Sequence, residues 1–445
     1  MTHDFLRRQI PGYLGALALG AFVLTSSAQE KLDLNKLEKF SGVYELPSKR
    51  LIYIQPWPGP EARLVYTDET GQIRALTFTT ENVLTAGPAL FLPTPVEVRI
   101  TFSRNSRNDV ASLSRHRNGF PDETAKKVES YRQEDVNFQN GAVLLAGTLF
   151  LPPGKGFHPA LVLIGGSGAA DRYSVLPIVH FLVTHGITLL AYDKRGIGGS
   201  SGDWRTASLE ELAGDAVAAL KFLQTRKDID TNRVGVFGVS QGGWVAPLAA
   251  SKSSGITFLI SLSGPGMSPE EVELKRLEHD LHANGFAQDA VVNALALVKL
   301  GDKVAQGRET WEHYQAAIGK AGKTQWFHHV TVPASPDSWL FEHWRRLPME
   351  YDPGPAIAKL HVPVMALFGE LDNTVQPAEN AEIWRVDLLK GKVKDYTIKV
   401  FPNGNHMLLE ARTGAEEEFP TLKRFVPEYA PFLLDWLRER RIVTQ

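Results

Sequence analysis

The sequence predicts an α/β protein: a mostly parallel sheet carrying a helical cap insertion, preceded by an N-terminal β-rich domain. Two textures and one interruption predict it. From about residue 40 to 132, short alternating apolar and aromatic runs are punctuated by proline and glycine turns. Beyond that point, fully apolar strands alternate with helical stretches, the pattern of a parallel sheet covered on both faces. Between about residues 264 and 355 the alternation breaks, and helical, tryptophan-rich sequence takes over.

Taken in order, residues 1–28 read as a signal peptide. Arg7 and Arg8 form a basic start, Gly12 to Leu24 is an apolar run, and Ser26-Ser27-Ala28 offers small residues for cleavage before Gln29. The run is short for a bilayer span. The expectation is export to the periplasm or medium, with no stable membrane insertion after cleavage and with the Sec and twin-arginine routes both open. An uncleaved anchor is the alternative. The chain of 445 residues has no cysteine, which excludes disulfides, a thiol nucleophile and Cys-ligated metal. A formal net charge of −2 gives no argument for nucleic acid.

Residues 29–132 form the β-rich domain. Gly42–Leu46, Leu51–Ile54, Arg63–Tyr66 and Val96–Phe102 are its clearest strands. It holds no cluster of histidines or carboxylates, so it reads as a packing module rather than a substrate gate. Residues 133–445 form the α/β domain. A hairpin is expected over 141–152, and strands over Ala160–Ile164, Ile187–Tyr192, Val234–Val239, Phe258–Leu262, Val364–Phe368 and Tyr396–Phe401. Helices are expected over Leu209–Arg226 and Val426–Arg440. In the cap insertion, Trp311, Trp326, Phe327, Trp339, Phe341 and Trp344 either line an apolar pocket or pack the cap onto the body.

The chemistry centres on Gly238-Val-Ser-Gln-Gly242, a G-x-S-x-G between an apolar strand and an alanine-rich helix start. Strand, strained serine and helix are the context of a nucleophile elbow. A second copy, Gly198-Gly-Ser-Ser-Gly202, lacks that context and reads as a flexible loop. A serine nucleophile needs a base, and the base an orienting acid, in loops after later strands with the acid first. Asp372 follows the strand ending at Phe368, with Glu370 its nearest rival, and His406 follows the strand ending at Phe401. The oxyanion would be held by the backbone N–H groups of Gln241 and Ser167, the latter in Gly165-Gly-Ser-Gly168. No Gly-Lys-Ser/Thr follows that tetrad, so it is not a phosphate loop. His328-His329 has no metal-ligand spacing. No metal and no organic cofactor is expected.

These residues resemble the α/β-hydrolase fold superfamily over roughly residues 135–445. Gly165–Gly168, Asp193-Lys-Arg-Gly-Ile-Gly-Gly-Ser200, Gly238–Gly242, Asp372 and His406 carry the resemblance. Within the fold the chain is most similar to exported bacterial esterases and S33-type serine aminopeptidases, whose oxyanion loop often reads as Gly166-Ser-Gly-Ala-Ala-Asp-Arg172 does here. Many relatives have His-Gly where this chain has Gly165-Gly166. The resemblance implies a serine hydrolase cleaving carboxylic esters by a Ser-His-Asp triad. An S33-like aminopeptidase is the first alternative, with Asp171, Asp193 or a cap carboxylate holding the substrate amine. A non-catalytic binding protein on the same scaffold is the second. The partner would be a small ester or short peptide; oligomeric state is not legible.

Overall fold

The computed structural model describes residues 37–57, 63–129, 131–173, 176–347 and 349–443. The signal-peptide expectation for residues 1–28 lies outside them.

The N-terminal strands close into an eight-stranded antiparallel barrel: β1 Gly42–Glu45, β2 Leu51–Trp57, β3 Arg63–Thr67, β4 Ile73–Thr80, β5 Val83–Ala86, β6 Val98–Arg104, β7 Val110–Arg117 and β8 Glu123–Val128. Each pairs with the next, and β1 also pairs with β8, which removes the open edges. Alternation does the sorting: along β6, Val98, Ile100 and Phe102 are buried while Arg99, Thr101 and Ser103 face solvent. Eight strands leave an interior that side chains can fill. Tyr44, Ile52, Leu64, Leu84, Ile100 and Leu113 fill it here. Arg115 is a charged exception. Its guanidinium is fully buried, donating to Tyr66 Oη, to Glu69 and to Glu123.

The second sheet has eight strands in the order β16-β15-β14-β13-β11-β12-β10-β9. They are β9 Arg132–Asn140, β10 Val143–Leu151, β11 His158–Ile164, β12 Thr188–Tyr192, β13 Ile229–Val239, β14 Phe258–Leu262, β15 Val364–Gly369 and β16 Tyr396–Phe401. From β12 to β16 every pairing is parallel; β9 and β10 are antiparallel. The expected hairpin is displaced. Residues 143–151 form one continuous strand, and the turn at Gly141, whose φ is +59°, joins it to β9.

Helices cover both faces. Ala160, Val162 and Ile164 of β11 pack with α2 (Leu209–Gln224), α3 (Gly242–Lys252), α8 (Gly354–Ala358) and α9 (Pro377–Lys390). Leu161 and Leu163 point the other way, to α1 (Leu176–Thr184) and α10 (Tyr429–Glu439). Helix α2 starts with a capping box in which Ser208 and Glu211 satisfy each other's backbone N–H groups.

Between β14 and β15 lies the expected helical insertion: α4 Pro269–Ala283, α5 Gln288–Ala305, α6 Trp311–Ala321, a 3-10 turn at Gln325–His329, and α7 Trp339–Arg346. It has an interior of its own, built on Leu277, Val291, Tyr314, Trp326, Phe341 and Trp344. Most of its aromatic residues therefore pack the insertion itself. Trp339 is the exception, 42% exposed and in edge contact with Trp204 of the β12–α2 loop.

Barrel and α/β body share a further apolar cluster. Trp57, Val65, Ile73 and Leu90 of the barrel region pack on Leu409, Ala411 and Leu422, with Leu371 and Met407 against the same cluster. Backbone bonds lock it: Ile73 N–H donates to Lys423 O at 2.7 Å, Leu90 N–H to Leu422 O at 2.8 Å and Phe91 N–H to Pro420 O at 2.9 Å.

Candidate active site

Ser240 stands between the end of β13 and the start of α3, with a left-handed φ of +54°. A non-glycine residue there is strained, which is the signature of a sharp strand-to-helix turn. The turn's tightness explains its glycines. A Cβ on Gly238 would sit 2.1 Å from Gly242 O, and one on Gly242 would sit 2.5 Å from Ile164 O. The turn is held by Ser240 N–H donating to Leu262 O at 2.9 Å and Gly243 N–H donating to Ser240 O at 2.7 Å. Gln241 occupies the cap position of α3, where backbone N–H groups lack intrahelical acceptors and the helix dipole is positive.

Asp372 and His406 meet across two loops. His406 Nδ1 lies 2.8 Å from Asp372 Oδ2. Asp372 is 3% exposed, and its Oδ1 accepts from Thr374 N–H at 2.9 Å and Val375 N–H at 2.8 Å, which fixes the carboxylate. Glu370, the rival acid, instead accepts from Asn403 N–H and is exposed. The His406 loop is pinned by Asn405 Oδ1, which accepts from Met407 and Leu409 N–H. Ser263 Oγ donates to His406 O at 2.8 Å. Because Leu262 holds Ser240 and Ser263 holds His406, adjacent residues at the end of β14 connect the two candidate loops. His406 Nε2 is buried without a hydrogen-bond partner among the described residues, so it does not bond Ser240 Oγ in this state. Such contacts often tighten only when substrate binds.

Ser167 lies in the loop leaving β11, the strand paired to β13. That loop is tied to the β12–α2 loop. Arg172 Nη2 donates to Asp193 Oδ2 at 2.8 Å and Arg172 N–H to Oδ1 at 2.9 Å. Gly199 N–H also donates to Asp193, so this carboxylate is committed within the protein and is not free to hold a substrate amine. The second G-x-S-x-G belongs to the same tie. Ser200 Oγ donates to Asp193 O and accepts from Ala146 N–H, and Ser201 Oγ accepts from Leu144 N–H. That loop is a bonded brace, not the flexible loop its glycines suggest.

Sequence reasoning missed Ser263, Asn405 and Lys194. Lys194 is buried, and its ammonium donates to Gly166 O and, at 2.9 Å, to Gln241 Oε1. Its sequence signal is a lysine two residues past the end of an apolar strand, beside Asp193.

The fold and this arrangement define the class. A profile of the alpha/beta hydrolase family matches residues 161–417, and the chain belongs to that family. Among particular proteins, it is similar to the esterase EstD of Thermotoga maritima, with 28% identity over 291 residues, 63% of this chain and 61% of EstD. It is also similar to the quorum-quenching protein AidA of Acinetobacter baumannii, with 27% identity over 128 residues, 28% of this chain and 42% of AidA. The chain thus spans less than two thirds of the length of either relative. Among solved structures, the Pyrococcus furiosus esterase Pf2001 superposes with a TM-score of 0.45 at 17% identity, over 70% of this chain and 92% of that one.

Proposed function

We propose that this protein is a serine hydrolase that cleaves carboxylic esters of small molecules through an acyl-enzyme. The observation that carries the reading is the His406–Asp372 pair, tied through Ser263 to the same strand end whose Leu262 holds the strained Ser240 at a strand-to-helix turn. In this reading Ser240 Oγ attacks the ester carbonyl carbon while His406 Nε2 takes its proton. Asp372 holds Nδ1–H and so leaves Nε2 as the base. The tetrahedral oxyanion accepts hydrogen bonds from the N–H groups of Gln241 and Ser167, donors that need no reorganisation as charge develops. His406 then protonates the leaving alkoxide, activates water, and the acyl group departs as a carboxylate. The family membership and the similarity to EstD support a hydrolase; the commitment of Asp193 to Arg172 removes one of the three carboxylate sources an aminopeptidase would need, beside Asp171 and the cap.

The test is turnover of p-nitrophenyl acetate and butyrate beside aminoacyl-p-nitroanilides, with Ser240→Ala as control. Ester turnover that vanishes in Ser240→Ala is expected. Anilide turnover above ester turnover would move the reading to a peptidase. Activity that survives Ser240→Ala would leave a binding role. Export to the periplasm or medium, proposed from residues 1–28, is checked by N-terminal sequencing of the secreted form.

A further inference from the structure

Lys194 is the second residue of the loop after β12, with its side chain turned inward and the residue 8% exposed. Its two hydrogen-bond acceptors belong to the two arms of the candidate oxyanion site. Gly166, whose carbonyl accepts one N–H, immediately precedes Ser167. Gln241, whose side-chain Oε1 accepts another, carries the other candidate N–H on its own backbone. Lys194 N–H donates to Ala170 O at 3.0 Å, so its backbone also grips the far end of the Gly165–Ala170 loop. Among the described residues no carboxylate forms an ion pair with Nζ. Both partners are neutral oxygens.

A lysine buried this way is costly, because its charge leaves water with no counter-ion. Burial pushes its ammonium down to about 7. The neutral amine still carries two N–H groups for two acceptors, so the tie survives deprotonation. A methionine would fill the same space without the desolvation cost. What the amine adds is a bond to each of two loops that arrive from different strands.

We propose that Lys194 is the positioning residue of the oxyanion site. By holding the Gly166 carbonyl and the Gln241 side chain together, it sets the separation of the Ser167 and Gln241 N–H groups. The proposal rests on the serine-hydrolase reading. The two N–H donors matter to the transition state more than to bound ester, because they address the charge that develops on the carbonyl oxygen.

The experiment compares wild type, Lys194→Met, Gln241→Leu and the double variant on p-nitrophenyl butyrate, with affinity for a trifluoromethyl ketone as a second readout. Lys194→Met should lower kcat by about 10- to 100-fold with KM within about twofold, the pattern of an interaction made only in the transition state. Inhibitor affinity should fall by a similar factor, and the double variant should be no worse than the single ones. A kcat within about twofold of wild type, or a loss confined to KM, overturns the proposal. If Lys194→Met does not fold, Gln241→Leu decides alone: reduced kcat at unchanged KM supports the tie, and unchanged kcat overturns it. Failure of the underlying reading looks different. Wild-type turnover that is absent, or that survives Ser240→Ala, overturns the triad and the tie together. Turnover lost in Ser240→Ala but kept in Lys194→Met overturns only the role of Lys194.

Discussion

Ser240 holds a φ that few serines adopt, and its neighbours show what makes that conformation affordable. At Gly238 and Gly242 there is no room for a methyl group between β13, α3 and the end of β11. Gly238→Ala should therefore cost about 1–3 kcal/mol of stability, the usual range for overpacking a tight interior, read from a urea unfolding midpoint. Unchanged stability would mean that the turn relaxes freely. At Asp372 the expectation concerns rate. Asp372→Asn keeps the shape of the side chain but no longer favours the Nδ1–H tautomer of His406, so kcat should fall by about 10³- to 10⁴-fold with the fold intact. Near-normal turnover would point to another acid. Ser240, Asp372 and His406 were legible because each follows its own apolar strand, a local pattern. Ser263 and Lys194 were not, because each acts on a loop far away in sequence and no local pattern encodes that meeting, while Asn405 pins its own loop by a turn common to many loops.

Among the elements, legibility tracked alternation. Strands β1, β2, β3 and β6 stand out as runs, whereas β8, Glu-Thr-Ala-Lys-Lys-Val, buries only Ala125 and reads as polar coil. In β7 the inward residue at 115 is an arginine, so the barrel's own ion pairs mask the period. The helical insertion was visible as a break in strand texture, yet its charged interior was not. Asp302 of α5 is 3% exposed, and neither carboxylate oxygen has a hydrogen-bond partner among the described residues. Burial pushes its carboxyl up to about 7, with Glu270 and Glu273 adding to the rise. An acid whose pKa is raised by folding binds more protons in the folded state. Stability is then greatest below the unfolded value near 4 and falls as pH rises toward 7. Asp302→Asn should be more stable than wild type above pH 7, by on the order of 4 kcal/mol at most, with the gap closing as pH falls toward 4. Thermal melts across that range read it, and a gap that does not change with pH would refute it.

In the whole molecule, the barrel is built into the α/β body rather than tethered to it. Leu371 adjoins Asp372 and Met407 adjoins His406, and both pack on the cluster that Trp57, Val65 and Leu90 help to form. Tyr173, beyond the Ser167 loop, donates to Glu38 Oε1 at 2.9 Å, so the other side of the site also reaches the N-terminal region. The sequence divides the chain at residue 132 and leaves the barrel without a role, because packing across that boundary has no local signature. Leu90→Ala should cost about 2–5 kcal/mol. It should also slow labelling of Ser240 by a fluorophosphonate at temperatures where the protein remains folded. A lowered unfolding midpoint with undiminished labelling would show that the barrel stabilises the body without setting the His406 loop.

The same junction carries a consequence for how the chain comes into being. Synthesis delivers the barrel first, and early domains fold as they emerge. The segment from Leu409 to Leu422 that covers the barrel's apolar face is made long after it, downstream of β16. Until then the face around Leu90 waits uncovered. A chain interrupted before that segment already carries Ser240, Asp372 and His406 but lacks the Leu409–Leu422 cover, so the His406 loop emerges without the apolar seat it shares with the barrel.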